Sequence, residues 1–258
     1  MGFTTIEVAA AGDRGTIALN RPEKLNPLSA ATLRELADAA RWFDERAEVK
    51  VVVVSGRGRA FCSGADVSVF AGADPGVAAR REAADAGRLM AEAVESMRAV
   101  TVARIQGHCV GGGVVLAAAC DLRVAADTTR FSIPEVDLGI PLAWGGIPRL
   151  VREIGPAMTK ELVLTCRPFS AEEARALGFL NRVVSDEQLD EAVEDLAAEL
   201  ARKSSLTLTA TKRGINAASG ALASTAAAWS DADSLLSALS DPESRHAAED
   251  YLRRLSSR

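Results

Sequence analysis

The chain has 258 residues, 48% of them hydrophobic and 25% charged, with a formal net charge of −5. That composition is a soluble globular chain with a substantial core, and its length fits one long domain. The acidic balance excludes a broad nucleic-acid surface, and no apolar run approaches the length of a membrane span, so neither nucleic acid nor membrane is an expected partner.

Hydrophobicity after Met1 alternates rather than running on, so no signal peptide is expected. The four cysteines, Cys62, Cys109, Cys120 and Cys166, form no CxxC pair, which points to a reduced, cytoplasmic setting. The two histidines, His108 and His246, lie far apart in sequence, so no metal site is expected. No repeat is visible in the plain sequence.

In chain order, residues 3–8 and 15–19 read as two strands around a turn at Gly12 and Asp13. Residues 20–24 form a polar loop. Ser29 caps a helix with Leu33, Leu36, Ala37, Ala40 and Phe43 on its apolar face. Residues 44–50 return the chain to a buried-type strand that starts at Val51. That strand runs into a glycine-rich loop ending in Gly64-Ala65-Asp66. Residues 72–76, with their glycines and proline, are the candidate mobile loop and part of a ligand gate. Residues 78–98 form an amphipathic helix whose Met90 and Met97 pack in the core or line a tunnel, core being the preferred reading.

Residues 100–105 are a strand that leads to Gly111-Gly112-Gly113 and a long apolar run. A glycine triplet here is ordinarily a tight strand-to-helix turn. It also lets a ligand approach the unpaired N–H groups of a helix start, so Gly112 can offer its N–H to a phosphate or an oxyanion. It is neither a Walker A loop nor a complete GxGxxG. Residues 122–125 are a short strand. Glu135 then lies between Pro134 and Val136, near Phe131, Ile133, Leu138 and Ile140. Most such glutamates are exposed, but a buried one would have its pKa raised toward general-base range.

His108 has no Ser or Asp partner nearby and reads as structural, and no GxSxG elbow exists. Trp144 either caps a ligand pocket or packs near Pro141 and Pro148, two readings of equal weight. Residues 186–203 form an amphipathic helix with Leu189, Val193, Leu196 and Leu200. From Ser204 onward the chain reads as three helices rich in Ala, Ser and Leu.

An ordered set of motifs resembles the crotonase superfamily, the enoyl-CoA hydratase/isomerase family. It comprises Asn20-Arg-Pro-Glu-Lys-Leu-Asn26, Ala60-Phe-Cys-Ser-Gly-Ala-Asp66, Gln106-Gly-His-Cys-Val-Gly-Gly-Gly113, Cys120-Asp-Leu-Arg-Val-Ala-Ala126, Phe131-Ser-Ile-Pro-Glu135 and Gly145-Gly-Ile-Pro-Arg-Leu150. Ser170-Ala-Glu-Glu-Ala174 and Asn181-Arg-Val-Val184 follow. The resemblance implies an α/β fold: a spiral of stacked ββα turns over residues 1–200, with residues 201–258 a helical region covering the site and building a homotrimer or a dimer of trimers. It implies an acyl-CoA thioester substrate and no separate cofactor, coenzyme A being part of the substrate. By motif position, Ala65 and Gly112 supply the oxyanion-hole N–H groups and Glu135 is the catalytic acid/base. Lys24, Leu25, Asp66, Val67 and Ser68 lie at the CoA-binding positions. Tyr251, Arg253 and Arg254 match positions where relatives carry aromatic and basic residues near CoA, with a solvated helix end preferred for the two arginines.

One departure bears on the chemistry. Hydratases of the family carry a first glutamate two positions after the triplet, where this chain has Val115. Hydration needs both a base for water and an acid for C2. A single glutamate resembles the enoyl-CoA isomerase pattern, in which one carboxylate moves a proton from C2 to C4. The extra acid of dienoyl-CoA isomerases is replaced by Ala143, and Asp137 is not taken as a second acid. The expectation is a Δ3-to-Δ2 isomerase. The alternatives are a hydratase or thioester hydrolase with a non-standard base, and a non-catalytic acyl-CoA binding protein.

Overall fold

The computed structural model describes residues 2–66 and 76–256, with side chains to 254. Strands β1 (Ile6–Ala11) and β2 (Arg14–Leu19) form an antiparallel hairpin. Gly12 takes φ 61° in its turn. The first strand starts at Ile6 rather than at residue 3 because Thr4 and Thr5 are engaged elsewhere. Both donate their backbone N–H groups to the Glu35 carboxylate, at 2.9 and 2.8 Å.

Helix α1 (Ala30–Asp44) begins as expected, with Ser29 Oγ accepting the Thr32 N–H at 3.2 Å. It buries Leu33, Leu36, Ala37, Ala40 and Phe43. Strand β3 (Val51–Gly56) follows, and helix α2 (Val77–Ser96) comes after the glycine-rich loop. Then come β4 (Val100–Ile105), β5 (His108–Val110), α3 (Gly112–Ala119), β6 (Leu122–Ala126), β7 (Arg130–Ser132) and α4 (Gly146–Thr165). Met90 and Met97 are fully buried in the core.

The topology is a spiral of ββα turns. A long strand enters one sheet, a short extended segment enters a second, and a helix closes the turn. The six-stranded sheet runs β1-β2-β3-β4-β6-β9, where β9 is Arg182–Val184, and it is parallel from β2 onward. The three-stranded sheet runs β5-β7-β8, where β8 is Phe169–Ser170. The loop after β3 joins the stack through a parallel bridge between Cys62 and Cys109. The spiral repeat is real in space but hidden in sequence, because its successive long strands begin at unequal intervals, at Val51, Val100 and Leu122.

Burial explains the composition of the central elements. All eight residues of α3 are buried, so this helix is apolar all round rather than amphipathic. Helix α6 (Leu189–Ala201) covers the opposite face of the large sheet and packs Leu189, Val193 and Leu196 against Val51, Val102 and Val124. A parallel sheet covered on both faces reads as a run of valines, as at Val51–Val54. Helix α5 (Ala171–Ala176) is capped by Ser170, whose Oγ accepts from Glu173 N. The chain ends in α7 (Ser205–Leu222), α8 (Asp231–Ser240) and α9 (Pro242–Ser256). Among the described residues, no helix is long and apolar enough to cross a membrane.

Arg123 is a buried polar tie in the core. Only 3% exposed, it donates to the carbonyls of Phe179 and Cys120 and pairs with Glu153 at 2.7 Å. Arg123→Met leaves those carbonyls and the mostly buried Glu153 without their partner. The expected loss is about 3–5 kcal/mol, read as a lowered urea midpoint.

Candidate active site

The site is built where three loops meet at the N-terminus of α3. Gly111 donates its N–H to Ser132 O at 2.9 Å, tying the helix start to β7. Two residues beyond Ser132, the chain turns at 134–140. Leu138 N bonds to Pro134 O, and Ile140 N bonds to Glu135 O. This turn lays the Glu135 side chain over Gly111. A Cβ on Gly111 would stand 2.3 Å from Glu135 Oε1 and would displace the carboxylate, and φ 49° favours glycine there.

Glu135 is 9% exposed, and its Oε2 has no hydrogen-bond partner among the described residues. Burial in this apolar setting raises its pKa from 4.5 to about 7, only partly offset by its own backbone N–H. The structure therefore places the sequence-predicted carboxylate where burial holds its pKa near neutrality. Asp137, two residues on, is exposed, and its N–H donates to Cys166 Sγ. Ala143 is buried and Val115 is 1% exposed, so neither position supplies a second carboxylate.

The other two loops present backbone donors. Leu28 bridges to Ala65 in parallel fashion, its N–H going to Gly64 O and its carbonyl accepting Asp66 N–H. Such pairing directs the N–H of Ala65 itself to the opposite side. Gly112 opens α3, and the first N–H groups of a helix have no partner within it. Neither Ala65 nor Gly112 donates its N–H to an acceptor among the described residues. A Cβ on Gly64, which has φ 96°, would lie 3.9 Å from Gly112 N, so the two candidate donors flank one small space. Glu135 lies beside it, against Gly111.

The loop carrying Lys24 and Leu25 is drawn to the same edge. Ser63 N bonds to Leu25 O, and Arg21 pairs with Asp66 at 2.9 Å. Asn26, 1% exposed, fixes the loop by accepting from Arg21 N and donating to the carbonyls of Arg57 and Ala60. Lys24 itself is exposed. The Ser63–Leu25 hydrogen bond and the Arg21–Asp66 ion pair thus tie the loop carrying Lys24 and Leu25 to the 63–66 segment. Val67, Ser68 and residues 72–75 lie outside the described residues.

His108 is exposed on β5, and the four cysteines are free and buried. Burial pushes the Cys62 and Cys120 thiols up to about 12, so neither is a thiolate at neutral pH. A separate cavity of about 310 Å³ lies between α3, α4 and α7. Its charged side chains are already paired, Lys212 with Asp121 at 2.7 Å and both Arg149 and Arg152 with Glu95, and it includes none of Ala65, Gly112 and Glu135.

Sequence reasoning missed three supports. Arg21 anchors Asp66, Gly111 receives the carboxylate, and Gly87 of α2 receives the Trp144 indole. Gly87 gave a usable signal, since a glycine inside an otherwise helical pattern often marks close packing.

The model of the family described as enoyl-CoA hydratase/isomerase matches residues 14–257. A probable enoyl-CoA hydratase of Rhizobium meliloti is 34% identical over 203 residues, covering 78% of this chain and 77% of that one. A mevalonyl-coenzyme A hydratase of Aspergillus fumigatus is 33% identical, covering 78% and 73%. The crystal structure of an enoyl-CoA hydratase from Mycobacterium avium subsp. paratuberculosis superposes with a TM-score of 0.88 at 26% identity, covering 96% of this chain and 99% of that one. The chain has the crotonase fold and belongs to the enoyl-CoA hydratase/isomerase family of enzymes.

Proposed function

We propose that this chain shifts the double bond of an enoyl-CoA from Δ3 to Δ2, with Glu135 as the single acid/base. One observation carries the reading: a carboxylate that burial raises to about 7 lies against Gly111, next to a Gly112 N–H that, like that of Ala65, has no acceptor among the described residues, and Val115 stands where a second carboxylate would be needed for water. In this reading the thioester oxygen accepts from Ala65 N–H and Gly112 N–H. Glu135 takes a C2 proton, and the C2–H electrons delocalise through C1 onto the oxygen and through C3=C4 as a dienolate. The same carboxyl then returns the proton to C4, leaving C2=C3. The two N–H groups stabilise the charge that develops on oxygen, and losing one such donor typically costs about 10²–10³ in rate. Lys24, Leu25, Asp66, Val67 and Ser68 would hold the CoA moiety.

The test is hydrogen exchange at C2 of a 3-enoyl-CoA in D₂O, together with appearance of the 2-enoyl product. The base must be ionised to act, so kcat/KM rises with pH through about 7 and levels off above it. A rate that is flat across that range would count against Glu135 as the base.

Hydration is the second reading, favoured by the names of the relatives. It predicts water addition to crotonyl-CoA well above background. The isomerase reading predicts a rate near background, because no second carboxylate reaches the site from Val115, Asp137 or Ala143.

The oligomer belongs to the same proposal. Ile215 and Leu222, seven residues apart on α7, are 62% and 86% exposed, a surface that fits burial between copies in a homotrimer. Light scattering giving a monomer mass would overturn it.

A further inference from the structure

The Trp144 indole occupies a built position that the mechanism above does not use. Its six-membered ring lies on Gly112, where an added Cβ would stand 2.4 Å from Cζ3. Its fused bond lies on Gly87 of α2, where an added Cβ would stand 2.0 Å from Cδ2 and 2.1 Å from Cε2. The ring therefore lies against two glycines, one on each of two helices, and a side chain at either would collide with it.

The backbone at this point is strained. Trp144 has φ 64°, a conformation that a bulky residue adopts rarely and only at a cost. The surroundings hold it. Arg149, 1% exposed, donates to the carbonyls of both Trp144 and Gly145 at 3.2 Å, and its other arm pairs with Glu95 at 2.6 Å. Asp231 of α8 accepts Gly145 N–H at 2.8 Å. A strained tryptophan clamped from two sides is better explained by where its ring must stand than by core filling, for which an unstrained residue would serve.

That place is fixed by Gly112. A thioester oxygen on the Gly112 N–H puts the acyl chain beside the Gly112 Cα, with Glu135 on the Gly111 side and the indole on the other. Beyond the ring, α2 closes the space at Gly87. We propose that Trp144 is the specificity-determining residue of this site, its indole forming the end wall of the acyl pocket and restricting the enzyme to short acyl thioesters. This rests on the acyl-CoA reading of the site given above.

The test is calorimetric binding of saturated acetyl-, butyryl-, octanoyl- and dodecanoyl-CoA to the full chain and to Trp144→Gly. Glycine is chosen because it accepts the positive φ, which favours a folded variant. The wild type should bind butyryl-CoA at least about 10-fold more tightly than dodecanoyl-CoA. Trp144→Gly should shift the preference at least about 10-fold toward dodecanoyl-CoA relative to butyryl-CoA, because the opened space buries more methylenes of the longer chain. A wild type that binds dodecanoyl-CoA as tightly as butyryl-CoA, or a variant with an unchanged chain-length profile, overturns the wall while leaving the acyl-CoA reading intact. Binding of no acyl-CoA by either protein overturns that reading and the wall with it.

A second measurement holds if Trp144→Gly does not fold. Butyryl-CoA should quench wild-type tryptophan emission more than free CoA does, and Trp144→Phe, which keeps Trp42 and Trp229, should lose that difference. Equal quenching by butyryl-CoA and free CoA in the wild type, or a difference that persists in Trp144→Phe, counts against the wall.

Discussion

Glu135→Gln should lose C2 proton exchange by about 10²–10⁴-fold, the usual share of a positioned general base, while acyl-CoA affinity changes little. The amide keeps the shape of the carboxyl over Gly111 but cannot accept the proton. The same substitution should change stability in a different direction. In the folded chain Glu135 titrates near 7 rather than 4.5, so between those values the native state binds more protons than the unfolded state. Stability contributed by this group is then lost as pH rises from 4.5 to 7, on the order of 3 kcal/mol in all, and stays lost above 7. Glu135→Gln removes that slope. Urea midpoints at pH 5 and pH 8 should converge in the variant relative to the wild type, while exchange disappears. A buried but non-catalytic glutamate would give the change in slope without the loss of exchange. Near-normal turnover in Glu135→Gln would remove it from the mechanism.

The two halves of this result explain which parts of the site were legible in sequence. Glu135 could be singled out because its neighbours Phe131, Ile133 and Pro134 are apolar, and they and Glu135 are all buried. Gly112 could be singled out because a glycine run before an apolar stretch starts a helix, as α3 does. Helices with one apolar face, such as α1 with its Ser29 cap and α6 with its buried Leu189, Val193 and Leu196, were legible because period and burial agree there. The short strands β5, β7 and β8 were not read. At two or three residues each they show no alternation, and they exist only because the spiral stacks them. Arg21, Gly87 and Arg149 act across 45, 57 and 54 positions respectively, on Asp66, Trp144 and Glu95, and no local pattern carries such distances.

Gly111→Ala should inactivate the site almost as fully as loss of the carboxyl, through geometry alone. The new Cβ would meet Glu135 Oε1 at 2.3 Å and Cδ at 3.1 Å, and φ 49° is strained for alanine. The carboxyl cannot keep its place over the helix start, so exchange should fall at least about 10²-fold. The strain itself should cost about 1–3 kcal/mol in stability. Lowered stability alone does not explain such a loss if exchange is measured well below the melting transition. The decisive comparison is the double variant. If Gly111→Ala acts by displacing Glu135, then adding it to Glu135→Gln costs little further exchange, because the group it displaces is already inert. If the two losses multiply instead, Gly111 must act elsewhere. The remaining route is the neighbouring Gly112 N–H, whose direction is set by the same residue and which the proposed mechanism places on the thioester oxygen.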